Sequence, residues 1–106
     1  MDVRQGEDRV VLGLHGELDL LGAPMLEEEI AKAEVDAPAT MVLDLRDLQF
    51  VDSAGLRVIL ATHERSRREG KEFALTQGSE QVQRLFTIAG VSEHLRIIGS
   101  SDDLLV

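Results

Sequence analysis

Residues 41–60 read MVLDLRDLQFVDSAGLRVIL, and the way this stretch divides decides the fold. Its opening, MVLDL at 41–45, is a nearly continuous apolar run of strand length, the pattern of a central strand covered on both faces. At Asp52 and Ser53 the pattern breaks. Beyond the small residues Ala54 and Gly55, Leu56, Ile59, Leu60 and His63 recur at helical intervals. This spacing predicts a helix from about Ser53 to Glu69, with those four residues on one face and Arg57, Glu64, Arg67 and Arg68 pointing away. Gly70 is placed to close it as a left-handed cap.

Upstream, RVVLGLH at 9–15 alternates like a strand, with Val10, Leu12 and Leu14 on one face. A short strand around Asp2 to Gln5 would pair with it through the turn GED at 6–8. GELDLLGAP at 16–24 reads as a loop that enters a helix, with Pro24 in a first helical position and Leu26, Ile30 and Ala33 at helical spacing. That helix ends before DAP at 36–38. Downstream, EFAL at 72–75 reads as another short strand. Ser79 is a natural N-cap for a helix carrying Val82, Leu85, Phe86 and Ala89, and Gly90 with Val91 gives a Schellman ending. LRIIG at 95–99 offers a last strand, and SSDDLLV at 100–106 a short capped terminal helix.

The resulting order, ββαβαβαβα, implies an α/β domain spanning residues 1–106. Its sheet is mostly parallel, of four to five strands, with an N-terminal antiparallel hairpin. Three main helices and the short C-terminal helix complete it. In such sheets function gathers where strands end and helices begin. GELD and VDSAG both fall at positions of that kind.

Composition narrows the function classes. A chain of 106 residues is one domain's worth, and its 43% hydrophobic content suffices for a single core. Twenty acids against eleven bases give a net charge of −9, which repels phosphate backbones and anionic lipid, so neither nucleic acid nor a membrane is expected as a partner. With 3% aromatic residues and no Trp or Tyr, the usual platform for stacking bases is missing. The absence of Cys excludes a disulfide framework and a thiolate metal site or nucleophile. No secretion signal and no apolar stretch of membrane-spanning length is seen, so a cytoplasmic location is expected.

Ser53 admits three readings. As a cap, its hydroxyl would accept a backbone N–H, an interaction of about 1 kcal/mol. As a nucleophile it would need a base and an oxyanion hole. The G-x-S-x-G elbow is not met, because Val51 holds the first glycine position, and His15, His63 and His94 are scattered. The same scatter makes them poor metal ligands, and no cofactor is implied. As a phosphoacceptor, Ser53 sits where a helix N-terminus favours added negative charge by about 0.3–1 kcal/mol. Neighbouring acids, Asp52 in sequence, Asp44 on the preceding strand and Asp19 in GELD, would be repelled by a new dianion. A docked partner would meet a changed surface without the domain refolding. Gly55 in the first turn costs about 1 kcal/mol against Ala and is tolerated where something approaches the backbone closely, a ligand or a packed neighbour.

GELD at 16–19, VLDLRDLQFVDSAGLRVIL at 42–60 and VQRLFTIAGV at 82–91 together resemble the STAS domain, in particular the bacterial anti-sigma factor antagonists. The resemblance covers nearly the whole chain in order. It implies a STAS-like fold and a non-enzymatic binding module. The implied partners are an anti-sigma factor that is an ATP-dependent serine kinase and a PP2C-type phosphatase. The phosphoacceptor it implies is Ser53, and the partner-binding residues are Asp19, Asp44, Asp52, Ser53, Ala54, Gly55 and Leu56. The unphosphorylated form would bind the anti-sigma factor and free the sigma factor. A monomer or weak dimer is expected. Where many members carry a second hydroxyl residue this chain has Ala54, leaving one serine to modify, and LLGAP replaces the Thr or Ser that often opens the first helix. The same domain also serves as an accessory subunit of lipid-transport ABC systems, an alternative that needs no phosphorylation. RSRRE at 65–69 reads as the solvated end of a helix, and Met25 carries no signal beyond packing.

Overall fold

The computed structural model describes residues 1–99; the terminal helix expected over 100–106 lies outside the described residues. Strand β1 (Asp2–Gly6) turns through Glu7 and Asp8 into β2 (Arg9–Leu18), and the two pair antiparallel with Asp2 opposite Gly13 and Gly6 opposite Arg9. Asp8 takes φ 60° there, a left-handed conformation that an Asp in a tight turn tolerates. Helix α1 (Ala23–Glu34), β3 (Thr40–Val51), α2 (Ser53–Arg68), β4 (Glu72–Thr76), α3 (Glu80–Ile88) and β5 (Ile97–Ile98) follow. From β2 onward each pairing is parallel, and the sheet order is the sequence order, β1-β2-β3-β4-β5.

That order has a structural consequence. Parallel strands that advance always in one direction through right-handed crossovers put every connecting helix on the same face of the sheet. The core agrees. Val10, Met41 and Phe73 lie in one cross-strand row, and Leu12, Leu43 and Leu75 in the next. Both rows share one buried cluster with Leu26 and Ile30 of α1, Ile59 of α2, and Val82 and Phe86 of α3. Val11, Val42 and Ala74 point the other way by strand alternation and are buried outside that cluster. With no reversal in strand order there is no switch-point crevice, so a site must be built at the strand ends themselves.

Two strands run further than apolar content alone indicates. β3 continues from Leu45 through RDLQFV, and β2 continues into GEL, which reads as loop in the sequence. The polar residues here fall on exposed positions while Leu18, Leu48 and Val51 stay buried, so pairing with the neighbouring strand carries the extension. Two register shifts, at Gly13/His15 and Gly16/Glu17, let the strands stay paired to Leu18 opposite Val51.

The inner face of α2 also differs from the expected one. Gly55, Val58, Ile59, Thr62 and Ser66 are buried, whereas Leu56, Leu60 and His63 are half-buried on its flank. Small residues face inward because α2 lies close against its neighbours, and hydrophobicity alone ranks leucine above them. The Thr62 hydroxyl donates back to the Val58 carbonyl at 2.8 Å, which satisfies it within the helix. In α3, Val82 and Phe86 are buried as expected and Ala89 is exposed. Ser79 accepts from the Val82 N–H at 3.3 Å, and Gly70 and Gly90 end their helices at φ 70° and 74°.

Candidate partner-docking site

The ends of β2 and β3 meet at the start of α2. The Asp52 N–H donates to the Leu18 carbonyl at 3.0 Å, so the last residues of both strands are tied together as the chain turns into the helix. Asp52 is extended (φ −102°, ψ −173°) and its Oδ1 accepts the Gly55 N–H at 3.0 Å. The cap is therefore Asp52 rather than Ser53. A carboxylate already holds the amide that the serine would have taken, and Ser53, the first residue of α2, is left exposed with no side-chain hydrogen bond among the described residues.

Gly55 is explained by its neighbour. A Cβ built there would lie 2.6 Å from Leu18 Cγ and 2.7 Å from the Leu18 carbonyl oxygen. Packing against β2, not approach of a ligand, demands glycine. The residue is buried and offers a partner no side chain. Ala54 and Leu56 are half-buried against the core beside it, each keeping an accessible edge.

Asp19 stands on the other side of the junction. Its Oδ1 accepts the backbone N–H groups of Leu21 and Gly22 at 3.1 and 3.0 Å, and its carbonyl accepts that of Ala23 at 2.8 Å. It thus organises the turn that opens α1, a helix whose own N-cap, Gly22, has no side chain to contribute. This turn holds its apolar side chains outward: Leu20 is 73%, Leu21 83% and Met25 65% exposed. Met25 is therefore not the packing residue expected from the sequence, because α1 turns its buried stripe of Ala23, Leu26, Ile30 and Ala33 away from it.

Across the junction, Phe50 and Val51 at the end of β3 form a groove of about 310 Å³ with Leu85 and Ile88 of α3, edged by Gln81 and Arg84. Ile88 is 76% and Phe50 50% exposed. A second cleft, lined by Leu20, Ala23 and Pro24 on one wall and Ala54, Arg57 and Val58 on the other, runs along α2. Of the large apolar side chains exposed among the described residues, Leu20, Phe50 and Ile88 line these two clefts, and Leu21 and Met25 belong to the turn and first helical turn that follow Leu20. The signal missed in the sequence was LLGAPM itself: apolar residues that the helical stripe of α1 leaves out.

Asp44 is not brought to Ser53. Seven strand residues, Leu45 to Val51, lie between it and Asp52, a run of roughly 25 Å. It is buried on the helix-free face, where Arg46 donates Nε to its Oδ1 at 3.0 Å and Nη2 to its Oδ2 at 2.8 Å. Arg4 adds Nη2 to Oδ2 at 3.1 Å, and the Thr76 hydroxyl adds a bond to Oδ1 at 3.1 Å. The same hydroxyl accepts the Leu45 N–H at 2.7 Å just where β3 and β4 part after Leu43 pairs with Leu75. Hydrogen bonds from Arg46, stronger than the opposing effect of burial, hold the Asp44 carboxyl down at about 2.

The histidines are dispersed. His15 Nε2 lies 2.7 Å from Asp2 Oδ2 on the exposed side of the hairpin, His63 packs its ring against Phe73 at 6.4 Å, and His94 follows α3 in the turn before β5. Among the described residues no group of His, Cys, Asp and Glu is arranged to hold a metal, and no helix is long and apolar enough to cross a membrane.

Residues 1–104 match the family model described as the STAS domain. The chain belongs to the STAS-domain family. It is 30% identical over 102 residues to the anti-sigma-B factor antagonist of Bacillus subtilis, covering 96% of this chain and 93% of that one. It is 33% identical over 95 residues to the anti-sigma-F factor antagonist RsfB of Mycobacterium tuberculosis, covering 90% and 77%. Among solved structures, an anti-sigma factor antagonist from Mycobacterium paratuberculosis superposes with a TM-score of 0.86 at 28% identity, over 97% of this chain and 87% of that one. This STAS domain carries the fold expected from its sequence, five strands with an antiparallel hairpin at the start and three helices among the described residues.

Proposed function

We propose that this STAS domain is an anti-sigma factor antagonist, a regulatory binding protein rather than an enzyme, and that Ser53 carries its switch. In the unphosphorylated form the end of the sheet around Ser53 docks an anti-sigma factor, which then releases its sigma factor. That partner, acting as a serine kinase, transfers the γ-phosphoryl group of ATP: the Ser53 Oγ–P bond forms, the bond from Pγ to the β,γ-bridging oxygen breaks, ADP leaves and the hydroxyl proton is lost. A PP2C-type phosphatase hydrolyses the ester and restores the docking form. The cytoplasm is the compartment that supplies such partners and ATP.

The observation that carries this reading is an exposed hydroxyl that caps no helix, at a junction whose neighbouring residues Phe50, Val51 and Ala54 line two open, largely apolar clefts. An apolar rim supplies affinity. A phosphoryl group on Ser53 adds about −1.5 to −2 charges, which a docked partner would have to desolvate. The fold itself tolerates the charge, because it falls at the N-terminus of a 16-residue helix. Asp19, Asp52, Ser53, Ala54 and Leu56 form this surface, Gly55 shapes it from beneath, and Asp44 belongs to the sheet.

Incubation with candidate partner kinases and ATP, followed by mass mapping, is expected to place one phosphoryl group on Ser53. Ser53→Ala should keep partner affinity within about threefold and take up no phosphate. Ser53→Asp should bind at least about tenfold more weakly, a loss of about 1.4 kcal/mol. Equal binding by the two variants would remove the switch. An accessory subunit of a lipid-transport system would instead co-purify with an ABC-type ATPase and show no kinase-dependent mass change.

A further inference from the structure

We propose that Arg57 is the intramolecular counter-ion of a phosphoryl group on Ser53, an inference that rests on Ser53 being the acceptor. Arg57 follows Ser53 by four residues on α2, so the two side chains share a face with Cβ atoms about 5–6 Å apart. Helical side chains lean toward the N-terminus, which carries the long arm of Arg57 back over the first turn, where Ser53 stands.

The surrounding charges leave this cation available. Elsewhere on α2, Arg65 donates to both carboxylate oxygens of Glu34 at 2.9 and 3.0 Å, and Arg67 to those of Glu64 at 3.3 and 3.0 Å. Arg57 is exposed and makes no hydrogen bond or ion pair among the described residues. Asp52 and Asp19, the acids nearest the junction, have an oxygen each committed to backbone amides. Glu27 of α1 lines the same cleft as Arg57 without closing an ion pair, and Arg84 of α3 edges the groove beyond Phe50 and Val51. A phosphoryl dianion outcompetes Glu27 for the guanidinium, with up to twice the charge and three acceptor oxygens suited to a bidentate bond.

The pairing makes the switch two-sided. Phosphorylation adds negative charge at Ser53 and simultaneously withdraws an exposed cation from the surface that a partner reads. It also fixes the phosphoryl group along the helix instead of leaving it free to rotate.

The test uses the full chain with phosphoserine installed at position 53 during translation, carrying Arg57, Arg57→Lys or Arg57→Gln, and follows the phosphorus NMR signal through a pH titration. A guanidinium stabilises the dianion and lowers the second phosphate pKa. Arg57→Gln is therefore expected to raise it by about 0.5 unit, with Arg57→Lys between the two. The Arg57 Nε–H resonance should also shift when Ser53 is phosphorylated. Identical titrations for all three proteins, with backbone amide spectra unchanged elsewhere, would overturn the proposal. Failure of every partner kinase to modify Ser53 would overturn the switch instead, and the installed phosphoserine would still report on Arg57.

Discussion

At Asp44, two guanidinium groups, a hydroxyl and a backbone amide converge on a single carboxylate. Its folded pKa, about 2, lies below the ordinary 3.8. The contribution to stability is therefore complete above about pH 4 and disappears as pH falls through about 2. The displacement corresponds to about 2 kcal/mol. Urea titrations at pH 7 should show Asp44→Asn less stable than the parent by about that amount, with the difference shrinking toward zero near pH 2. A difference independent of pH would show that the carboxylate's charge does not contribute. From the sequence Asp44 reads as an acid near Ser53 and a partner contact; Arg4 and Thr76, which hold it in the sheet instead, reach it from 40 and 32 residues away, beyond the range of any local pattern.

At the start of helix α2 the cap and the proposed phosphoacceptor are adjacent but different residues. Asp52 satisfies the Gly55 amide, so the proposed phosphorylation of Ser53 would leave the helix capped. Asp52→Ala should lower unfolding stability by about 1 kcal/mol, whereas Ser53→Ala should change it by less than about 0.5 kcal/mol. Chemical denaturation of the two variants side by side checks this, and equal losses would mean that the hydroxyl also caps. The helix was legible in outline, including its start at Ser53 and its closing glycine. Its inward face was not. The contact of Gly55 with Leu18 fixes the rotation of the helix about its axis, and that contact joins residues 37 apart.

The proposed docking surface belongs to the scale of the whole molecule. The β2–α1 turn contributes Leu20 and Leu21, α1 adds Met25, the end of β3 supplies Phe50, and α3 supplies Ile88. Parallel pairing brings the ends of β2 and β3 together, and the groove shared by Phe50, Val51, Leu85 and Ile88 joins α3 to them. Because the side chains are already in water, truncating them removes little internal packing. The pair Leu21→Ala and Ile88→Ala should together weaken binding of the anti-sigma partner by at least about tenfold, measured by calorimetry, with unfolding stability held within about 0.5 kcal/mol. Unchanged affinity would place the docking surface elsewhere.

By itself the sequence determined the elements, their alternation and the serine at a strand-to-helix junction, because apolar periodicity, turn residues and caps act over a few residues. The family motif is local for the same reason. Only the tertiary structure decided the strand order, the helix-free face on which Asp44 is locked, the rotation of α2 and the apolar clefts on either side of the strand-to-helix junction. Each depends on contacts between residues far apart in the chain, and these form only when the strands pair and the helices pack.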